Sequence, residues 1–247
     1  MLLMDTAQKN QYLKEGERFD DLQRDGLQII QNPDLYCFSS DAVLLSDFAK
    51  IRYGQTAADL GTGSGIVAFL LAAKTKAKLI YGIELQTPLY DTAVRSAAAN
   101  GLSDRVKIIN ADMRKVYEII GCGGMDVVTV NPPYRKTGSG DKSAKNESTR
   151  LARHEVTVTL PEVIESAARL LKFGGKFYMI HRADRLDEIF LYTKQNNISI
   201  KTLQLVQPDA DKPPHLVLIE GVTGGRAGVK ILSNLIISEQ ENLKAGE

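Results

Sequence analysis

The stretch "AADLGTGSGIVAFLLA", residues 57–72, decides the fold. Ala57–Leu60 is short and apolar apart from Asp59, the pattern of a buried parallel strand. Gly61, Gly63 and Gly65 follow, three backbones without side chains directly ahead of an apolar run that predicts a helix over Ile66–Lys74. A strand, a glycine turn and a helix in this order let a ligand approach main-chain N–H groups at the carboxyl end of a sheet. Nineteen residues after Gly65, Glu84 closes a second apolar run in "LIYGIEL", where a carboxylate can accept both hydroxyls of a ribose. The glycine pattern is G-x-G-x-G, and Asp59 precedes it inside the strand, which disfavours a dinucleotide. The expected ligand is of adenosine type. A third strand ends in "NAD", which puts Asn110 and Asp112 where side chains can meet the purine and its amino group.

Outward from this motif the chain alternates strands and helices. Strands are expected at Ala57–Leu60, Leu79–Glu84, Val106–Asn110, Asp126–Val130 and Lys176–Ile180, and helices over Ile66–Lys74, Pro88–Asn100, Met113–Ile120, Leu160–Leu171 and Arg185–Gln195. Such alternation implies right-handed crossovers and a parallel sheet covered on both faces. Asn100-Gly101 and Gly174-Gly175 read as helix ends, and Pro88 as a first-turn residue. Beyond residue 197, the runs Ser199–Val206 and Leu216–Glu220 are joined by "QPDADKPPH" without a helix, which suggests an antiparallel pair at the sheet edge. Upstream, "RDGLQIIQNPDLYCF" reads as a hairpin and "SSDAVLLSDFAK" as a helix capped by Ser or Asp. The expected division is an N-terminal hairpin and helix segment, residues 1–55, and a main domain, residues 56–247.

Composition narrows the function classes. With 247 residues and 43 % hydrophobic content the chain can bury a full core. Thirty-one Lys and Arg against 30 Asp and Glu leave a net charge of +1, so no global field draws it to nucleic acid or anionic membrane. Any such binding must be local. No apolar run approaches the roughly 20 residues of a membrane span. Cys37 and Cys122 lie far apart, form no metal-type pair and favour a reducing cytoplasm. No metal site is expected.

The second motif lies in "MDVVTVNPPYRKTG", residues 125–138, where a strand runs into Asn131, Pro132, Pro133 and Tyr134. Together with Asp59, Gly61, Gly63, Gly65, Glu84 and Asp112, this tetrad resembles the S-adenosylmethionine-dependent methyltransferase fold in its amino-methylating branch. The resemblance implies a Rossmann-like class I α/β fold: a mostly parallel seven-stranded sheet, its last strand antiparallel, with helices on both faces. It also implies S-adenosylmethionine as cofactor, S-adenosylhomocysteine as product, and Asn131 touching both cofactor and target.

The tetrad suits a poor nitrogen nucleophile, whose lone pair is delocalised into a ring or carbonyl. If the Asn131 side-chain oxygen and the Pro132 carbonyl each accept one N–H, the nitrogen can pyramidalise and aim its lone pair at the methyl group. The prolines hold these acceptors in place beforehand. Tyr134 can stack on a planar target, a contact worth about 1–3 kcal/mol in nucleobase sites. Asn131, Pro132 and Tyr134 are therefore the expected catalytic residues, with Pro133 beside the substrate. Pro213-Pro214 lacks the Asn and precedes its strand, and reads as loop.

Residues 135–155, "RKTGSGDKSAKNESTRLARHE", have no hydrophobic period and carry six Lys or Arg against three acids. A segment this long inside a compact domain reads either as solvated loop or as a flap gripping phosphates, with Arg135, Arg150 and Arg153 as candidate substrate contacts. His154, His181 and His215 are isolated in sequence and read as structural. "GVTGGRAGVKIL" has glycines without a following helix and reads as a turn between strands.

The resemblance narrows further. "QNPDLYCFSSDAVLLSDF", with Gln31, Phe38, Asp41, Ala42, Leu44, Leu45 and Phe48, joins the tetrad, "ARHE" at 152–155 and "HRADRLDEI" at 181–189. Together they resemble bacterial tRNA1(Val) adenine-N6-methyltransferases, whose substrate is the adenine 3′ of the anticodon of a valine tRNA and whose N-terminal segment helps cover the cofactor. Arg135 departs from the family, where an aromatic often follows the tetrad. The resemblance implies a tRNA partner; with the composition, a cytoplasmic protein without a membrane partner is expected, with a monomer favoured over an oligomer. Two other classes share these motifs: a protein-glutamine methyltransferase acting on release factors, or a DNA or rRNA amino-methyltransferase. A non-catalytic RNA-binding module is the third.

Overall fold

A computed structural model describes residues 9–35, 40–134 and 158–238 of the chain. In chain order, its elements are the strands β1 (Arg18–Asp21) and β2 (Gln28–Gln31), helix α1 (Ser40–Phe48), then β3 (Thr56–Leu60), α2 (Ile66–Lys74), β4 (Leu79–Glu84) and α3 (Thr87–Ala99). There follow β5 (Val106–Asn110), α4 (Tyr117–Ile120), β6 (Met125–Val130), α5 (Leu160–Leu170), β7 (Leu171–Arg182), α6 (Leu186–Gln195), β8 (Ile198–Gln207) and β9 (Leu216–Thr223). Two-residue strands β10 (Lys230–Ile231) and β11 (Leu235–Ile236) end the described chain.

The main sheet runs β10-β8-β9-β7-β6-β3-β4-β5. From β5 through β4, β3 and β6 to β7 the pairing is parallel, while β9 is antiparallel to both β7 and β8. Seven long strands with an antiparallel last one are what the resemblance implied. The helixless pair is β8 and β9, but β9 lies inside the sheet, between β7 and β8. The outer edge of β8 takes β10 and β11 in parallel, and "GVTGGRAGVKIL" is the connection to them.

Apolar side chains fill both faces of this sheet. On one, Leu45 of α1, Phe69, Leu70 and Leu71 of α2, and Ala97 of α3 pack with Leu27, Ile29 and Tyr178. On the other, Val163, Ile164 and Ala167 of α5 and Ile189 of α6 pack with Phe177, Met179 and Val217. Helix α2 is buried from Ile66 through Ala72, because α1 and the N-terminal hairpin wrap the side turned from the sheet. The hairpin is pinned to α3: Ser96 Oγ accepts the Ile30 N–H at 2.9 Å, and Asn100 exchanges bonds with the backbone of Gln28. Residues on both sides of position 55 thus share one core.

Three local readings change. The helix expected over Met113–Ile120 is confined to Tyr117–Ile120, because Asp112 accepts the Arg114 N–H and holds a turn in its place. Strand β7 starts at Leu171, and Gly174-Gly175 lie within it. Gly174 sits at φ +75°, a Cβ on Gly175 would stand 2.8 Å from the Lys172 carbonyl oxygen, and the register against β6 shifts there. Helix α5 accordingly stops one residue early, at Leu170; at its start Glu162 reaches back to accept the Thr159 N–H.

Candidate active site

Strand register gathers the two motifs at one edge. Leu60 of β3 pairs with Ile83 of β4 and Val130 of β6, and Glu84 pairs with Asn110 of β5. The glycine turn, Glu84, the "NAD" segment and the tetrad therefore leave the sheet side by side at its carboxyl end, where open α/β sheets bind ligands.

In the turn, Gly61, Gly63 and Gly65 all have positive φ, at +69°, +59° and +94°. A Cβ at Gly65 would lie 2.6 Å from the Phe69 ring, whereas one at Gly63 would meet nothing within 4 Å. Gly65 is thus fixed by packing, and Gly63 faces open space. Beneath the turn, Gly82 lets β4 pass: its Cβ would stand 2.8 Å from Ile108 and 3.0 Å from Thr62. That glycine had no motif to announce it.

Two buried carboxylates flank the turn. Asp59, 2 % exposed, accepts the Thr129 hydroxyl at 2.7 Å; burial, with the charge of Glu84 adding to it, pushes its carboxyl up to about 6. Glu84 accepts the Gly63 and Gln86 N–H groups, each at 2.8 Å, and burial raises it as well. With the Leu85 N–H also favouring it, the carboxylate still offers more acceptor sites than its backbone donors fill. Asn110 spends its amide internally: Nδ2 donates to the carbonyls of Glu84 and Leu85, and Oδ1 accepts from Thr87. Asp112 is held by Arg114, whose guanidinium keeps the carboxyl below its usual range and also reaches Glu162 at 3.2 Å.

The tetrad stands opposite. Pro132 is buried, while Asn131, Pro133 and Tyr134 are half-buried. The Tyr134 hydroxyl donates to Asn131 Oδ1 at 2.5 Å, and the Tyr134 ring lies 5.2 Å from the ring of His181. Gln31 of β2 is buried beside the turn: its Nε2 donates to Ser64 Oγ at 2.9 Å, and its Oε1 has no hydrogen-bond partner among the described residues. Neither His181 nor Gln31 stands out by spacing: His181 reads as structural from its isolation in sequence, and Gln31 belongs only to a segment that carries the family resemblance. Arg135, Arg150, Arg153 and His154 lie outside the described residues, as does Cys37. Among the described residues, no group of three His, Cys, Asp or Glu side chains could hold a metal ion, and no helix is long and apolar enough to cross a membrane.

Residues 37–196 match the methyltransferase small domain family. The chain belongs to that family. Two curated tRNA1(Val) (adenine(37)-N6)-methyltransferases of Porphyromonas gingivalis are each 31 % identical to the chain. The alignment with the ATCC 33277 protein covers 67 % of this chain and 65 % of the relative; that with the W83 protein covers 73 % and 72 %. A solved structure, a predicted O-methyltransferase from Agrobacterium tumefaciens, superposes with a TM-score of 0.64 at 22 % identity, over 79 % of this chain and 86 % of the other. That likeness is one of fold. The glycine turn and the tetrad both fall within the residues that match the family.

Proposed function

We propose that the protein transfers a methyl group from S-adenosylmethionine to the N6 amine of an adenine in tRNA, at the position 3′ of the anticodon of a valine tRNA. The observation that carries this reading is the Asn131–Tyr134 tetrad leaving β6 beside the glycine turn that leaves β3, in a chain whose relatives bear that activity in their names.

The turn fits the cofactor. Gly63 leaves open space where any side chain would intrude, and acceptor capacity remains on Glu84 for a ribose. Asp59 and Glu84 supply negative charge for a cationic ligand, and Gln31 Oε1 offers one more buried acceptor at the same turn. The N-terminal segment helps cover this side of the site through β2, a role supported by the Gln31 bond to Ser64. Bound S-adenosylmethionine supplies an electrophilic methyl group on a sulfonium.

The chain's own part is orientation. Asn131 Oδ1 and the Pro132 carbonyl accept the two N–H groups of the target amine, which turns its lone pair out of the ring plane. No strong base is needed, because the amine proton becomes acidic as the new C–N bond forms. Tyr134 walls the base, Pro133 lies beside it, and Arg135, Arg150 and Arg153 bind the flanking phosphates.

Labelled S-adenosylmethionine offered separately to total tRNA, rRNA, DNA and release factor tests the reading. Label in tRNA as N6-methyladenine is the expected result. Label confined to release factor, or to rRNA or DNA, overturns it, and cofactor binding without transfer to any acceptor leaves a binding module.

A further inference from the structure

His181 is next to last in β7, paired with Val217 of β9, near the exit of β6, where Val130 pairs with Met179. Its side chain is fully buried. Nδ1 accepts the Arg182 N–H at 2.8 Å, so the neutral ring carries its proton on Nε2, and Nε2 has no hydrogen-bond partner among the described residues. Burial first, then the positive charge of Arg185, push the imidazole down to about 4, which leaves it neutral at physiological pH. As space-filling this is a poor choice, because a buried donor without a partner is costly and leucine would fill a similar volume without one. What histidine offers here is a flat face. Its ring centroid lies 5.2 Å from that of Tyr134, with the planes at 56°, inside the range of favourable aromatic pairs. Tyr134 in turn reaches Asn131 Oδ1 through its hydroxyl.

We propose that His181 is a positioning residue for methyl transfer: its buried ring backs Tyr134, and Tyr134 holds the Asn131 amide in the orientation that the target amine requires. The proposal rests on the amine-acceptor role given to Asn131 above. One lone pair of Oδ1 takes the Tyr134 hydroxyl, and a carbonyl oxygen has a second to offer the incoming N–H. If the tyrosine ring loses its backing, the amide can rotate, and misalignment at the reacting centre lowers kcat without touching the glycine turn.

The test compares His181→Leu, His181→Phe, Tyr134→Ala and the His181→Leu/Tyr134→Ala double variant. The readouts are kcat and KM on tRNA, cofactor Kd by calorimetry, thermal midpoint, and the NMR signal of the Asn131 side-chain amide, identified by its loss in Asn131→Ala. His181→Leu should lower kcat about threefold, leave the cofactor Kd within about twofold, and move the Asn131 signal. His181→Phe, which restores a ring, should recover most of kcat. In the Tyr134→Ala background His181→Leu should cost nothing more. Wild-type kcat in His181→Leu, or losses that multiply in the double variant, overturns the proposal. Should His181→Leu fail to fold, His181→Gln carries the same expectations. If the wild-type enzyme methylates no tRNA, the functional reading fails; an Asn131 signal unmoved by His181→Leu overturns the positioning role independently.

Discussion

The hydroxyl of Tyr134 donates to Oδ1 of Asn131 at 2.5 Å. Two members of the tetrad that look independent in sequence, an acceptor and a stacking wall, are therefore one unit. Asn131→Ala removes the acceptor and should abolish turnover while leaving cofactor affinity near wild type. Tyr134→Phe keeps the ring and removes only the bond to the amide, a loss of about 1 kcal/mol, or roughly fivefold in kcat with KM little changed. Steady-state kinetics with parallel calorimetry checks both variants. Turnover surviving in Asn131→Ala would remove the amine-acceptor role.

Asp59 links stability to pH. Its folded pKa, about 6, lies above the ordinary aspartate value of 3.8, so its favourable contribution is complete below about pH 4 and is lost as pH rises through 6. At pH 7.5 the folded protein therefore carries a buried charge that the unfolded chain would rather solvate. Asp59→Asn keeps an oxygen for the Thr129 hydroxyl and removes that charge. In urea titrations it should be more stable than wild type at pH 7.5, by up to about 3 kcal/mol, with the gap closing toward pH 4. The same variant should bind S-adenosylmethionine more weakly, since a cationic ligand loses its nearby carboxylate. A variant less stable than wild type at both pH values would refute the buried-charge account.

How legible the site was depends on how local each feature is. The glycine turn needs only residues 59–66, and Glu84 follows from one strand-helix-strand repeat, so both could be placed from spacing. The tetrad is four consecutive residues at a strand end. By contrast, Gln31 meets Ser64 across 33 positions, and His181 meets Tyr134 only because β7 lies beside β6. Those contacts depend on register and docking, which periodicity does not encode. Gly82 had no signal because its need is set by Ile108 and Thr62 packed over it. The shortened α4 reflects a competition at Asp112, whose bonds to Arg114 outweigh the helical pattern that follows.

Gly63 separates folding from binding. It sits at φ +59° and a Cβ there meets nothing within 4 Å; Gly101, in the loop after α3, matches it at φ +65° with the same open surroundings. Alanine at either position should cost about 1 kcal/mol of backbone strain. Only Gly63→Ala places a methyl group where the cofactor approaches, so only it should weaken S-adenosylmethionine binding, by about tenfold or more. Calorimetry and thermal unfolding of the pair decide it: equal cofactor affinity in the two variants would move the binding surface away from Gly63.

Arg95 of α3 ties the N-terminal segment down. It donates to both oxygens of Glu17 at 2.6 and 2.7 Å, to Asp91, and to the Tyr12 carbonyl. The Glu17 side chain is only 4 % exposed and that of Arg95 16 %, so this pair is largely removed from water. Breaking it from one side strands a buried carboxylate, and Arg95→Ala should cost about 3 kcal/mol. Replacing both partners with apolar residues, Arg95→Met with Glu17→Leu, should recover much of that loss, because the penalty comes from the unpaired charge and not from a missing attraction. Urea denaturation of the two single variants and the double variant measures the coupling. Since β2 carries Gln31 to Ser64, freeing residues 12–17 should also raise the cofactor Kd in Arg95→Ala and restore it in the double variant. A cofactor Kd unchanged by Arg95→Ala would mean that β2 holds its place through Ser96 and Asn100 alone.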